Sequence, residues 1–443
     1  MPPDSGRILR DNMTVSPSST VCTVPLDRLR FADHLQPGDV VGWPQGPGEP
    51  LALTEALVAQ RHALENCALL FGLTQSDTLR PDLTDAFRLH ALNGAGSSRR
   101  VSALAEVYPC HVSAIPGLLR SGRLRLDVVL IQVRPVGGGR YSLGVIADFT
   151  QAMIERARVV IALVNPALPA LLGDALVRAE DIDVLVERDE RIIEMQDPVP
   201  SDIERAVAIH VASLIPDRAT VQLGVGTLPT AVAQALMGHR GLGVHSGVVS
   251  DVLVDLVERG VVTNAHKGCD EGQTVTGGLF GTGRLRDFAR DSGSVDLRNA
   301  DYTHSPATAA SLCMFHTINS AVEIDLTGQV NAEVAAGRYL GALGGHADFV
   351  RAGTLSPGGR SIIAIPSTTA DGKHSRLVGS LGLRPVTTSR GDVDAVVTEY
   401  GVAHLRGCSL QERIRRLIEV AHPDHRDALA QQAHEIRKAQ GLQ

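Results

Sequence analysis

An α/β protein of two related, open, parallel-sheet domains is what this chain of 443 residues predicts. Three observations carry that expectation. Short β-branched runs alternate with longer helical patterns along most of the sequence. One unit, a polar turn followed by a strand, a glycine loop and a helix, occurs twice. The length also exceeds what a single hydrophobic core usually serves.

The expected strands are residues 128–133, 159–164, 183–186, 361–365 and 395–397, short runs rich in Val, Ile and Leu. Such runs suit strands covered on both faces. Apolar residues three and four apart predict helices over 51–60, 203–214 and 410–421. The alternation implies parallel sheets covered by helices, with sites at the carboxyl ends of strands. In the first copy of the repeated unit, Pro37-Gly-Asp-Val-Val-Gly-Trp-Pro-Gln-Gly leads to Pro50 and a helix containing Leu53 and Leu57. In the second, Asp217-Arg-Ala-Thr-Val-Gln-Leu-Gly-Val-Gly leads to Pro229 and a helix containing Val232 and Leu236. Two halves, 21–200 and 201–443, follow from this repeat, preceded by a polar leader over 1–20. The leader lacks the apolar run of a signal peptide and reads as disordered.

Bulk composition excludes several functions. Hydrophobic residues make up 44% and charged residues 21%, as in an ordinary soluble protein. A net charge of −7 argues against nucleic acid or an anionic membrane as the main partner. No apolar stretch is long enough to span a bilayer. The six cysteines are dispersed without CxxC, which predicts reduced, buried residues in a cytoplasmic protein. Neither P-loop lysine spacing nor a zinc pattern occurs, so no metal is expected.

Three loops could carry chemistry. Gln222-Leu-Gly-Val-Gly-Thr-Leu-Pro229 is a strand that ends in glycines before a helix N-terminus. There, backbone N–H groups at Gly224, Val225 and Gly226 can approach an anion or thioester oxygen with no Cβ in the way; the plain alternative is a tight turn. The loop around Gly344, Gly345 and His346 has the same alternatives, with His346 as a cap or as a base. From Gly241 to Leu256 a strand runs into a turn and a helix, and the turn holds His245, Ser246 and Gly247. Ser246 does not sit in a G-x-S-x-G elbow, because glycine stands three residues before it.

Read together, these segments resemble the acetyl-CoA hydrolase/CoA-transferase family, in its 4-hydroxybutyrate and butyryl-CoA:acetate CoA-transferase branch. The matching stretches are residues 126–133, Tyr141-Ser-Leu-Gly144, Val221-Gln-Leu-Gly-Val-Gly226, His245-Ser246 and Ile318-Asn-Ser320. Residues 323–331, Gly344-Gly345, Asp348-Phe-Val-Arg351 and Thr398-Glu-Tyr-Gly401 complete the set. The resemblance implies the CoA-transferase type of fold, with the active site in a cleft between two related α/β domains. It implies coenzyme A or acyl-CoA as substrate, no tightly bound cofactor, and Gln222 and Asn319 beside the glycine loops as binding residues. It is consistent with a homodimer and leaves the oligomeric state open.

The family uses a glutamate that attacks the acyl-CoA carbonyl and becomes a glutamyl-CoA thioester. Its His-Ser-Glu or His-Thr-Glu sequence, followed by Ser-Asp and Asp-Leu, aligns with His245, Ser246, Ser250, Asp251, Asp255 and Leu256. The glutamate position is then Gly247. Loss of a covalent nucleophile costs on the order of 10³ to 10⁶ in rate. Other departures fall in the same expected cleft. Asp-x-x-Gly becomes residues 135–140, Gly-Gly-Gln becomes Gly344-Gly345-His346, and an Asn-Asp-Pro-like segment becomes His304-Ser305-Pro306.

Three readings follow. In one, a base, with His346 or His245 expected, activates water or a small non-carboxylate acceptor against the thioester. In another, a displaced carboxylate restores CoA transfer; Glu323, Glu333 and Glu399 could deliver it, with structural ion pairing as their default role. In the third, the chain binds acyl-CoA without turnover.

Overall fold

The β-branched runs assemble into two sheets whose strands follow one order. The computed structural model describes residues 22–92, 96–341 and 343–439, and the expected leader lies outside them. The first sheet runs Glu106–Val107, Arg88–Ala91, Ala68–Phe71, Val40–Gly42, Val128–Gly137, Val159–Val164, Val184–Glu187, with Cys22–Thr23 at the far edge. The second runs Val295–Leu297, Thr274–Thr276, Gly243–Ser246, Thr220–Gln222, Phe315–Ser320, Arg360–Ala364, Ala395–Thr398. Counted along the chain from Val40–Gly42 and Thr220–Gln222, both read fourth, third, second, first, fifth, sixth, seventh. All neighbours on these two paths are parallel. Gly401–His404 returns antiparallel at the second edge. The repeat in sequence is thus a repeat in topology.

Period-2 alternation explains the continuous apolar runs. Val40, Val129 and Ile131 of the first sheet share one buried core with Val221, Val244 and Ile318 of the second. Their neighbours Val41, Val128 and Leu130 face the opposite side, against Leu53 and Leu57 of the helix Leu51–Ala59. In the second sheet Ile363 and Val396 pack likewise with Leu417 of the helix Leu410–Glu419. The strand Val128–Gly137 outruns its apolar segment because it continues into an antiparallel hairpin with Arg140–Ser142. Burial there changes from continuous to alternating.

Residues 188–201 join the sheets without helix or strand. They end at Ser201, whose hydroxyl accepts from Glu204 N while Glu204 reaches back to Ser201 N. This capping box starts the helix Asp202–Ala212. Buried cysteines are found only in part. Of the five whose side chains are described, Cys67 is buried, while Cys313 is exposed on the surface. Among the described residues no helix is long and apolar enough to cross a membrane.

The two copies of the glycine loop differ in what they face. In the first, a Cβ on Gly46 would stand 2.6 Å from the Phe280 ring, and one on Gly48 would stand 2.3 Å from Ile146. In the second, a Cβ on Gly224 would meet only Pro229 at 3.8 Å, and one on Gly226 nothing within 4 Å.

Candidate active site

Because the first and fifth strands lie side by side in each sheet, the chain leaves them in opposite directions and opens a crevice at their carboxyl ends. A cavity of about 330 Å³ lies there. Gln222, Leu223 and Gly224 enter it from the end of Thr220–Gln222, and Asn319 and Ser320 from the end of Phe315–Ser320. Ser246 and Gly247 follow the strand Gly243–Ser246, and Gly277 follows Thr274–Thr276. The first half contributes Gln45, Leu73, Ile146 and Asp148, while Gly344, Gly345 and His346 close the space from the loop before the helix His346–Leu355. A larger cavity of about 780 Å³ lies against the helix Leu51–Ala59, away from every glycine loop. Its Arg61 and Arg80 are already paired with Asp85 and Asp82.

Gly247 is open on one side and covered on another. Its φ lies outside the left-handed region, so space and not backbone strain favours glycine. A Cβ added there would stand 3.0 Å from two ring atoms of His304 and 3.4 Å from Phe349. A Cβ on Gly345 would stand 2.5 Å from His304 Nε2. His304 is therefore a side chain seated over both glycines. Its ring meets Phe349 in a tilted contact with centroids 4.6 Å apart, and burial holds its pKa down to about 3.

Asp148 is the carboxylate that lines this cavity. Its Oδ1 accepts from the backbone N–H of Phe149 and Thr150 and from the Thr150 hydroxyl, and its Oδ2 accepts from Gln45 Nε2 at 2.9 Å. Burial raises its pKa to about 6 against these hydrogen bonds. The expected carboxylates are elsewhere. Glu323 pairs with Arg384 at 2.6 Å, Glu333 accepts from Thr387 and Tyr339, and Glu399 accepts from Ser367. None of the three lines the cavity.

Of the residues expected from sequence, the cavity brings together Gln222, Gly224, Val225, Gly247, Asn319, Gly344, Gly345 and His346. Asn319 Nδ2 donates to Gln222 Oε1 at 3.3 Å. His346 Nε2 is buried and has no partner among the described residues, and burial lowers its pKa to about 4. Gly226 lies next door, in a cavity of about 570 Å³ that shares Val225 and Ser320 with the first and holds Arg376. His245 does not line the site. It is buried against Phe315, and its Nε2 meets Thr303 O at 3.0 Å. Burial and the nearby Lys267 ammonium push its pKa down to about 4. Ser246 Oγ donates to Leu223 O at 2.6 Å, so its proton is committed to the backbone.

Sequence reasoning did not single out His304 or Asp148 as site residues. For His304 a signal existed, since residues 304–306 depart from the family pattern. For Asp148 the decisive partner, Gln45, is remote in the chain.

Comparison with known proteins agrees with this architecture. Residues 29–196 match the acetyl-CoA hydrolase/transferase N-terminal domain, and residues 281–433 match the C-terminal domain. The 4-hydroxybutyrate coenzyme A transferase of Clostridium kluyveri is 40% identical over 388 residues, 86% of this chain and 90% of that one. Among solved structures, RipA from Yersinia pestis superposes with a TM-score of 0.87 at 31% identity, over 94% of this chain and 98% of that one. The 4-hydroxybutyrate CoA-transferase of Porphyromonas gingivalis does so with a TM-score of 0.79 at 34% identity, again over 94% and 98%. The chain belongs to the acetyl-CoA hydrolase/transferase family.

Proposed function

We propose that this chain cleaves an acyl-CoA thioester by direct attack of water, or of a small non-carboxylate acceptor, with no glutamyl-CoA intermediate. One observation carries the reading. Position 247, which the resemblance gives to the nucleophilic glutamate, is glycine, and the His304 ring sits over it. The reactive carbonyl would lie between that ring and the Gly224–Val225 backbone, whose N–H groups are the oxyanion donors. A ring nitrogen in the cavity is the base such a reaction requires, and both His304 and His346 line it. The body of CoA would occupy the adjoining cavity, with Gly226 and the start of the helix Thr227–Ala235 toward its phosphates and Arg376 as the cation. The halves that enclose this site are 21–200 and 201–443.

A second reading has one observation behind it. Asp148 is a carboxylate in the cavity with a raised pKa, and could serve as a displaced nucleophile for CoA transfer. Its four hydrogen bonds argue against it, since they engage both oxygens.

Thiol release over a panel of acyl-CoAs, combined with intact-mass measurement, separates the two. The direct reaction predicts free CoA thiol and no adduct. An acyl or CoA adduct on Asp148 or any glutamate, with acetate exchange that Asp148→Asn abolishes, would establish the second reading instead.

A further inference from the structure

We propose that His304, and neither histidine that the sequence singles out, is the general base of this cavity. Its Nε2 takes the proton of the attacking water or acceptor. This rests on the direct-attack reading above.

The ring's orientation is set by a chain of hydrogen bonds. His304 follows the short helix Ala300–Thr303, whose Ala300 N–H donates to Asp148 O at 2.6 Å. His304 Nδ1 lies 2.8 Å from Thr303 Oγ1, and that hydroxyl donates to Asn299 O at 3.2 Å. With the hydroxyl proton so committed, Oγ1 accepts from Nδ1–H, and the lone pair falls on Nε2. Nε2 has no partner among the described residues and opens toward the cavity that His304 lines. It stands over residues 247 and 345, where glycine leaves room for it.

The other two histidines differ in these respects. His346 lines the same cavity, but its Nε2 is buried without a partner and no described residue fixes its ring as Thr303 fixes that of His304. His245 lies outside the cavity, but its Nε2 donates to the Thr303 carbonyl, immediately before His304. His245 is thus a positioning residue for the base.

In the reaction with water, the oxygen bonds to the thioester carbonyl carbon as its proton passes to Nε2. The carbonyl π pair moves to oxygen, facing the Gly224 and Val225 N–H groups. Collapse reforms the carbonyl and breaks the C–S bond. The proton on Nε2 goes to the departing sulfur, leaving a carboxylic acid and the CoA thiol.

The test measures thiol release, intact mass and CoA binding in the full chain. His304→Gln is expected to lower kcat at least roughly tenfold, short of the full effect of a base poised near neutral pH, while calorimetric CoA binding persists. Added azoles are expected to rescue His304→Ala, increasingly with their basicity, as a lost base requires and a lost packing contact does not. Thr303→Val is expected to give a smaller loss of kcat with altered pH dependence, and carries the test if His304→Gln does not fold. Wild-type kcat in His304→Gln, rescue indifferent to basicity, or an unchanged Thr303→Val profile would overturn the role of His304 while leaving direct attack standing. A covalent adduct on the wild type, or no thiol release from any acyl-CoA, overturns both.

Discussion

Introducing an acid at position 247 should be tolerated poorly unless His304 is also reduced. An added Cβ there stands 3.0 Å from two His304 ring atoms and 3.4 Å from Phe349, where ordinary contact begins near the larger value. The Cβ alone therefore requires a shift of a few tenths of an ångström in the rings that cover one side of position 247. Both rings are buried and in tilted contact with each other, so neither can swing into solvent. Overpacking of this kind costs about 1–3 kcal/mol, and burial of an unpartnered carboxylate adds to it. Gly247→Glu should consequently lower the urea midpoint and give no acyl-CoA:acetate exchange. Combined with His304→Asn, which shortens the obstructing side chain, the loss should be less than additive, with a coupling of about 0.5–3 kcal/mol. Exchange should appear only in the double variant. A Gly247→Glu chain as stable as wild type, or strict additivity, would refute the claim that His304 crowds a side chain at position 247.

Other perturbations follow from neighbouring contacts. Arg376→Ala should raise KM for acyl-CoA with kcat unchanged, and a lower kcat would remove Arg376 from the role of CoA cation. Lys267 is fully buried and donates from Nζ to Val244 O at 3.0 Å and Gln273 O at 2.7 Å, bracing the strand that leads to Gly247. Lys267→Met should cost about 1–3 kcal/mol by stranding those carbonyls, and an unchanged urea midpoint would show that the brace is dispensable. His304 is held neutral, so its contribution to stability is full above its unfolded pKa near 6.5 and is lost as pH falls toward about 3. The stability gap between wild type and His304→Gln should change by ~1.4 kcal/mol per pH unit below 6.5, to the disadvantage of wild type. A constant gap would contradict the buried, neutral ring.

Much of the architecture could be read from the chain because it depends on local periodicity. Strands buried on both faces leave continuous apolar runs, and 159–164 appears as the strand Val159–Val164. The repeated turn, strand, glycine loop and helix marked the two switch points. Gly344 was legible as a candidate because its glycine loop stands beside the end of an element, whereas Gln222 and Asn319 were expected from the resemblance to the family. His304 was not, because its importance comes from close approach to residues 247 and 345 across the fold. Asp148 depends on Gln45, 103 positions earlier. His245 shows the opposite error. It stands beside position 247 in the sequence and was expected as a base. The strand Gly243–Ser246 ends before position 247, the alternation stops, and His245 turns into the core against Phe315.

The unequal surroundings of the two glycine loops have a consequence for how the duplicated scaffold is used. Phe280 and Ile146 plug the first copy from within the protein, while the second stays accessible. A methyl group at Gly46 would strike the Phe280 ring and one at Gly48 would strike Ile146, whereas one at Gly224 would meet only Pro229 in ordinary contact. One frame of the duplicated scaffold thus serves as a wall of the cavity that the other frame opens.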